Sequence, residues 1–178
     1  MKESKLLIET IENLNLWDKE IEVSRNDYVK FNGTIDTNLY FIVEGSLRIY
    51  VINEGEEHTI RFGYQNNFIV ALDSFISEKS SDYYIQALKK TKIKVLKKST
   101  FDKLLQSNSN FKNTWPNILE QIVLQLLERE KDILTSSPIE RYNRVLKRSP
   151  QLFQEIPHKY IADYLRMTPE TLSRIKKS

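Results

Sequence analysis

The feature that most limits the fold is a change of hydrophobic period near Ser99. Between Ile21 and that point, apolar residues fall into short runs halted by turn signals. Residues 28–31 stop at Asn32-Gly33, 39–43 at Glu44-Gly45, and 46–52 at Asn53-Glu54-Gly55. Further runs occupy 56–62, 67–70, 82–87 and 92–97. Runs of this length read as strands, and glycine after a polar residue supplies the positive φ that tight hairpins need. Short strands at such regular spacing predict a barrel or sandwich. A short helix over residues 4–14, carrying Leu6, Leu7, Ile11 and Leu14, precedes them.

Beyond Ser99 the period is helical. Ser99-Thr100 is expected to cap a helix over 101–106, and residues 107–110 to break it. After Trp115-Pro116 comes the longest periodic segment, 117–135. Leu119, Ile122, Leu126, Arg129 and Ile133 step by three and four, while Ile118, Val123, Leu127 and Leu134 widen the stripe. That is more apolar surface than one neighbour covers, so one side is expected on the β domain and the other on a second copy of the chain. The alternative is a helix buried wholly within a monomer. Ser136-Ser137-Pro138 marks a boundary, after which Pro138 opens a helix over 139–147 that ends at Ser149-Pro150.

The last twenty-two residues, 157–178, read as two short helices joined by a tight turn. Tyr160, Ile161, Tyr164 and Leu165 give the first an apolar face. The second opens on Thr168-Pro169-Glu170, where Thr168 caps free N–H groups and Pro169 suits the first helical position. Thr171, Ser173, Arg174, Lys176 and Lys177 then offer donors and positive charge. A helix-turn-helix has this arrangement, with the leading residues of its second helix in the major groove. The competing reading is a packed hairpin with a solvated basic face. Residues 138–178 hold nine Lys/Arg against four Asp/Glu, a surplus of five, so the preceding segment sums to −2 within a chain of +3. Such asymmetry is expected when one end meets a polyanion.

Composition excludes several classes. With 40% hydrophobic and 29% charged residues, the chain is neither disordered nor fibrous. No run of eighteen apolar residues exists, and the first ten residues lack a signal-peptide core, so a cytoplasmic protein without membrane partners is expected. The absence of cysteine rules out disulfides, cysteine-ligated iron–sulfur clusters and thiolate-bound haem. His58 and His158 lie too far apart in sequence to suggest a metal site, and His58 reads as a surface residue rather than a haem ligand. No nucleophile–base pair or phosphate-cradling glycine loop stands out. Neither catalysis nor a cofactor is expected.

A β-roll, a long helix, a short boundary and a helix-turn-helix, in that order, resemble the Crp/Fnr family of transcription regulators over nearly the whole chain. Residues 40–50, Tyr-Phe-Ile-Val-Glu-Gly-Ser-Leu-Arg-Ile-Tyr, look like the strand–turn–strand signature of a cyclic-nucleotide-binding domain. Ile161-Ala162, Thr168, Glu170-Thr171 and Arg174-Ile175 match the family's recognition hairpin. Residues 140–150 resemble the helix that begins its DNA-binding domain.

The resemblance implies an α+β fold in three parts. These are a jelly-roll-like double-stranded β-helix over 1–110, a dimerisation helix and hinge over 111–137, and an all-α helix-turn-helix over 138–178 without a full wing. The implied partners are double-stranded DNA, a second copy, RNA polymerase and an unidentified small-molecule effector. Glu170 and Arg174 are the implied base readers. Thr168, Thr171 and Ser173 would fix register on phosphates, and Lys159, Lys176 and Lys177 would add salt-sensitive attraction. Pro169 stands where the family has an arginine, so a different operator is implied. Arg166 occupies the turn position usually held by glycine, at a cost of about 1 kcal/mol.

The implied effector pocket is Phe68, Val70, Ala71, Ser81, Asp82 and Tyr83. Val70-Ala71 replaces the Gly-Glu pair that holds the ribose, and Ser81-Asp82 falls where an Arg-Ser/Thr pair would meet the cyclic phosphate. Asp82 repels a phosphate, and Lys79 would be only a point charge, so cyclic AMP is not the expected effector. Either another small molecule binds, or the roll is a scaffold. A rival reading of the whole chain is a small-molecule-binding or protein-interaction module that has lost DNA binding.

Overall fold

The computed structural model describes residues 2–177. Helix α1 (Lys2–Asn13) leads into eight strands interrupted by one short helix. These are β1 (Lys19–Val23), β2 (Tyr28–Lys30), β3 (Leu39–Glu44), β4 (Ser46–Asn53), β5 (Glu56–Tyr64), β6 (Phe68–Ile69), α2 (Leu72–Ser77), β7 (Tyr84–Ala87) and β8 (Thr91–Leu96). They form two four-stranded antiparallel sheets, ordered β1-β8-β3-β6 and β2-β7-β4-β5. Ile42, Leu47, Ile49, Ile69, Ile85 and Ile93 fill the space between them. This is the expected roll.

The two glycine turns on either side of β4 differ. Glu54 and Gly55, at φ 52° and 84°, join β4 to β5 in a two-residue hairpin closed by the Asn53–Glu56 pair. Gly45 makes no hairpin: β3 and β4 lie in different sheets, and the chain crosses between them at φ 104°. The backbone of Thr91 passes beneath, so a Cβ on residue 45 would lie 2.6 Å from Thr91 Cα.

Helices follow: α3 (Lys98–Ser107), α4 (Ser109–Leu134), α5 (Pro138–Arg148), α6 (Leu152–Glu155), α7 (His158–Tyr164) and α8 (Pro169–Lys177). Helix α3 begins a turn ahead of the expected start. Its N-cap is Lys97, and Thr100, expected to cap, instead donates to Asp18 at 3.1 Å. The polar stretch 107–110 is less a break than a cap, since Asn108 Oδ1 accepts from Phe111 N at 3.0 Å. Helix α4 therefore starts eight residues before the expected Asn117 and carries Pro116 inside it. Only one hydrogen bond is forfeited there, which twenty-six residues of helix tolerate.

A second cluster joins Leu7 and Ile11 of α1 to Phe75, Phe101, Phe111 and Ile118, tying α3 and α4 beneath the roll. Leu6 and Leu14, also assigned to the apolar face of the first helix, are exposed.

Gly45→Ala combines left-handed strain of about 1–2 kcal/mol with overpacking of about 1–3 kcal/mol. Gly55→Ala, whose Cβ meets open space, carries the strain alone. Urea unfolding should show Gly45→Ala as clearly the less stable of the two.

Candidate nucleic-acid interface and effector pocket

The C-terminal hairpin is built around one turn. The turn after helix α7 holds Arg166 at φ 53°. Arg166 N donates to Asp163 O at 2.9 Å and Met167 N to Ala162 O at 3.0 Å, the paired closure in which glycine is usual at the left-handed position. The chain then re-enters helix at once: Thr168 Oγ1 accepts from Thr171 N at 3.2 Å, and Pro169 is the first helical residue. Leu172 is fully buried against Ile161, Ala162 and Leu165, which fixes the roll of α8 about its axis. Thr168, Pro169, Glu170, Arg174, Lys176 and Lys177 are left exposed, and Thr171 and Ser173 half-buried. The Glu170 carboxyl is held below its ordinary value by its own backbone N–H and then the Thr168 hydroxyl, so it remains ionised at neutral pH. Lys159 is exposed on α7, its ammonium 4.5 Å from the centre of the Tyr160 ring.

The basic surplus of this segment is partly consumed within the chain. Arg144 and Arg148 of α5 grip Asp132, fully buried on α4, and also reach Glu128. Asp132, chiefly by hydrogen bonding, holds the Arg148 guanidinium above its ordinary value. Arg141 is buried against backbone carbonyls. Of the cations not bound to Asp132, Lys147, Lys159, Arg166, Arg174, Lys176 and Lys177 are exposed, so positive charge concentrates on the α7–α8 side.

The hairpin is not a free appendage. Its core includes Phe62 and Leu88 of the roll, and the Tyr164 ring stands 5.4 Å from that of Phe62. Strand β5 is the open edge of its sheet, and α7 covers it: Thr59 N donates to Asp163 Oδ2 at 2.7 Å. Arg166 Nη1 lies 2.6 Å from His58 Nδ1. Arg48, 3% exposed, places its guanidinium 4.0 Å from the Tyr50 ring centre and 4.4 Å from that of Tyr160. It also donates to Gln86 and pairs with Glu57 at 2.6 Å. Tyr160 was expected on the apolar face of its helix, but neither Arg48 nor Asp163 stood out as a contact residue in the sequence. An arginine on the outward side of a strand reads as solvated until something is known to cover that face.

The stripe on α4 requires correction. Leu119 is half-buried, Ile122 packs into the lower aromatic cluster, and Arg129 lies 3.7 Å from the Tyr164 ring, where burial lowers its pKa. Ile122 and Arg129 are therefore occupied within the chain. Leu126 and Ile133 are exposed, together with Val123, Leu124, Leu127 and Leu134. The unpartnered apolar face is rotated toward the residues that had only widened the stripe.

The six residues of the expected effector pocket sit in different surroundings. Phe68 stacks near Trp17 and Phe41, and Val70 packs into the same lower cluster. Ala71 is buried in the roll core, and Tyr83 packs against that core. Ser81 is buried, and its carbonyl accepts from Lys30 Nζ at 3.0 Å. Asp82 is exposed and lines an outer cleft of about 580 Å³ with Asn32, Asn53, His58 and Arg166. Lys30 also donates to Tyr83 O and Phe31 O, so a buried ammonium already braces the segment where the cyclic phosphate was expected. Burial lowers the Lys30 pKa. Lys79 is exposed. Inside the roll, a Cβ at Gly63 would lie 2.4 Å from Ile69, which shows how tightly that wall is filled. Among the described residues, no group of three His, Cys, Asp or Glu is placed to hold a metal, and no helix is long and apolar enough to cross a membrane.

A family profile described as the cyclic nucleotide-binding domain matches residues 20–108, half of the sequence. The chain belongs to the cyclic nucleotide-binding domain family. Several solved structures share its fold. A CooA mutant from Carboxydothermus hydrogenoformans is 16% identical at a TM-score of 0.69, with 89% of this chain and 74% of that one covered. FixK2 from Bradyrhizobium japonicum is 17% identical at 0.70, covering 89% and 82%. The c-di-GMP responsive global regulator CLP of Xanthomonas campestris is 15% identical at 0.65, covering 96% and 90%. These neighbours are Crp/Fnr regulators, and the resemblance noted in the sequence holds in the fold. No curated protein matches the sequence.

Asp163→Ala leaves the Thr59 N–H without its acceptor at a buried edge, a loss of about 1–3 kcal/mol. Amide exchange at Thr59 should accelerate by about fivefold to a hundredfold, while amides of the β3–β8 pair keep their rates.

Proposed function

We propose that this protein is a transcription regulator that binds double-stranded DNA as a homodimer and does not take cyclic AMP as its effector. The observation that carries the reading is the exposed leading edge of α8. A threonine cap, an ionised Glu170 and an exposed Arg174 sit on a helix whose opposite side is locked by Leu172. That helix fits the major groove, where Arg174 would meet a guanine edge and Glu170 a cytosine amino group. Lys176, Lys177 and Lys159 would hold phosphates. The rival module reading called for α8 to be covered by the roll, but it is α7 that meets β5.

The apolar face of α4 supports the dimer. Val123, Leu124, Leu126, Leu127, Ile133 and Leu134 are each at least 45% exposed within twelve residues, a density that monomers seldom leave in water. Two such helices side by side would set two copies of α8 about one turn of B-DNA apart, roughly 34 Å. Against cyclic AMP stand Val70-Ala71, the Lys30 brace behind Ser81 and Tyr83, and the outward Asp82.

Fluorescence anisotropy on DNA selected from a random library should give Arg174→Ala a loss of about 1–3 kcal/mol on the selected site and little change on random duplex. Lys177→Ala should weaken both alike and reduce the salt slope by about one. Wild-type protein that retains no duplex at low salt would refute the proposal.

Leu124→Glu with Leu127→Glu should convert a dimer to a folded monomer in sedimentation analysis, because neither side chain supports the intrachain core. A wild-type monomer at all concentrations would refute the dimer.

A further inference from the structure

The ends of two helices and the link that follows the first of them meet at one side chain. Arg141, 8% exposed on α5, donates through Nε to Leu165 O at 2.8 Å and through Nη2 to Arg166 O at 3.1 Å. Its Nη1 donates to Ser136 O at 3.1 Å and to Thr135 O. Leu165 and Thr135 are the C-caps of α7 and α4. Carbonyls at helix C-termini lack intrahelical donors and carry partial negative charge, so a cation with donors in a rigid planar fork suits both at once. The three residues 135–137 between α4 and α5 lie outside regular structure, and Arg144 and Arg148 on Asp132 already fasten α5 to α4, so what Arg141 adds is the tie from that pair to the end of α7.

We infer that Arg141 is the positioning residue that fixes the direction of α8 relative to α4, and through it the half-site spacing that a dimer accepts. The inference rests on the DNA-binding reading, but its geometric half does not. Arg141 holds both carbonyls beside the left-handed turn that launches α8, and the Thr135 and Ser136 carbonyls just past the end of α4. The same guanidinium therefore reports the orientation of one helix to the other. Lysine cannot replace it: an ammonium is a point donor on a shorter reach and lacks the fork that spans the two helix ends.

The test measures binding to duplexes in which the selected half-sites are moved apart or together by one or two base pairs. Wild type should prefer one spacing, each step away costing about tenfold or more, because both helices then fail to engage together. Arg141→Lys and Arg141→Gln should lose about tenfold or more at the preferred spacing and change less than about threefold elsewhere, flattening the profile. Val145→Ala, a cavity in the same core, is the control, since it should lower stability and keep the spacing preference. A sharp preference retained in both Arg141 variants overturns the inference, as does an equal loss at every spacing.

Should wild type bind no DNA, the functional reading fails and a second measurement decides the geometry. The sequence contains no cysteine, so spin labels on Gln121→Cys and Lys177→Cys are unambiguous when diluted with unlabelled protein. The α4–α8 distance distribution should be narrow in the parent and broad with Arg141→Gln. An unchanged width sinks the inference.

Discussion

An edge strand with an apolar outer face cannot be left in water, and β5 is such a strand. Phe62 points out of its sheet, Thr59 has an N–H to satisfy, and α7 answers both, with Tyr164 on the ring and Asp163 on the amide. The rest of the C-terminal architecture depends on that contact. Forty-one residues after Ser137 bury too little surface to be robust alone, and the core of the hairpin is complete only with Phe62 and Leu88 from the roll. Roll and hairpin thus share one core and stabilise each other.

Charge is sorted by the same geometry. Arginines that look alike in the sequence divide into three kinds. Arg48, Arg129 and Arg141 are covered, over aromatic rings or against carbonyls, where a planar, weakly hydrated cation is tolerated. Arg144 and Arg148 neutralise a buried aspartate on α4 and so weld α5 to it. Arg174 and the neighbouring lysines remain in solvent. The surplus that hinted at a polyanion is real, but fewer of its members are free to meet one than counting suggests.

Much of this was legible beforehand. The strand runs, the Pro138 helix and the Thr168-Pro169 start follow from short-range rules: alternation, capping and the missing proline N–H. The left-handed Arg166 was legible too, because a tight turn between two helices demands that conformation whatever residue fills it. The exposure of Lys159 on α7 and of Thr168, Pro169, Glu170, Arg174, Lys176 and Lys177 at α8 follows from polarity and capping within a few residues. The expected pocket was not recoverable in this way. Phe68 and Asp82 are fourteen positions apart on segments whose facing depends on which sheet receives each strand, and no local pattern says so.

Sequence alone therefore determined the kinds of element, their order and the exposed leading edge of α8, because each arises from interactions within a few residues. Tertiary structure alone decided that Gly45 crosses between sheets rather than closing a hairpin. It alone rotated the free face of α4 toward Val123 and Leu127, and recruited Arg48, Asp163 and Arg141 to join distant elements. Those outcomes depend on which surfaces compete for burial across separations of a hundred residues, and that competition has no signature in hydrophobic period or spacing.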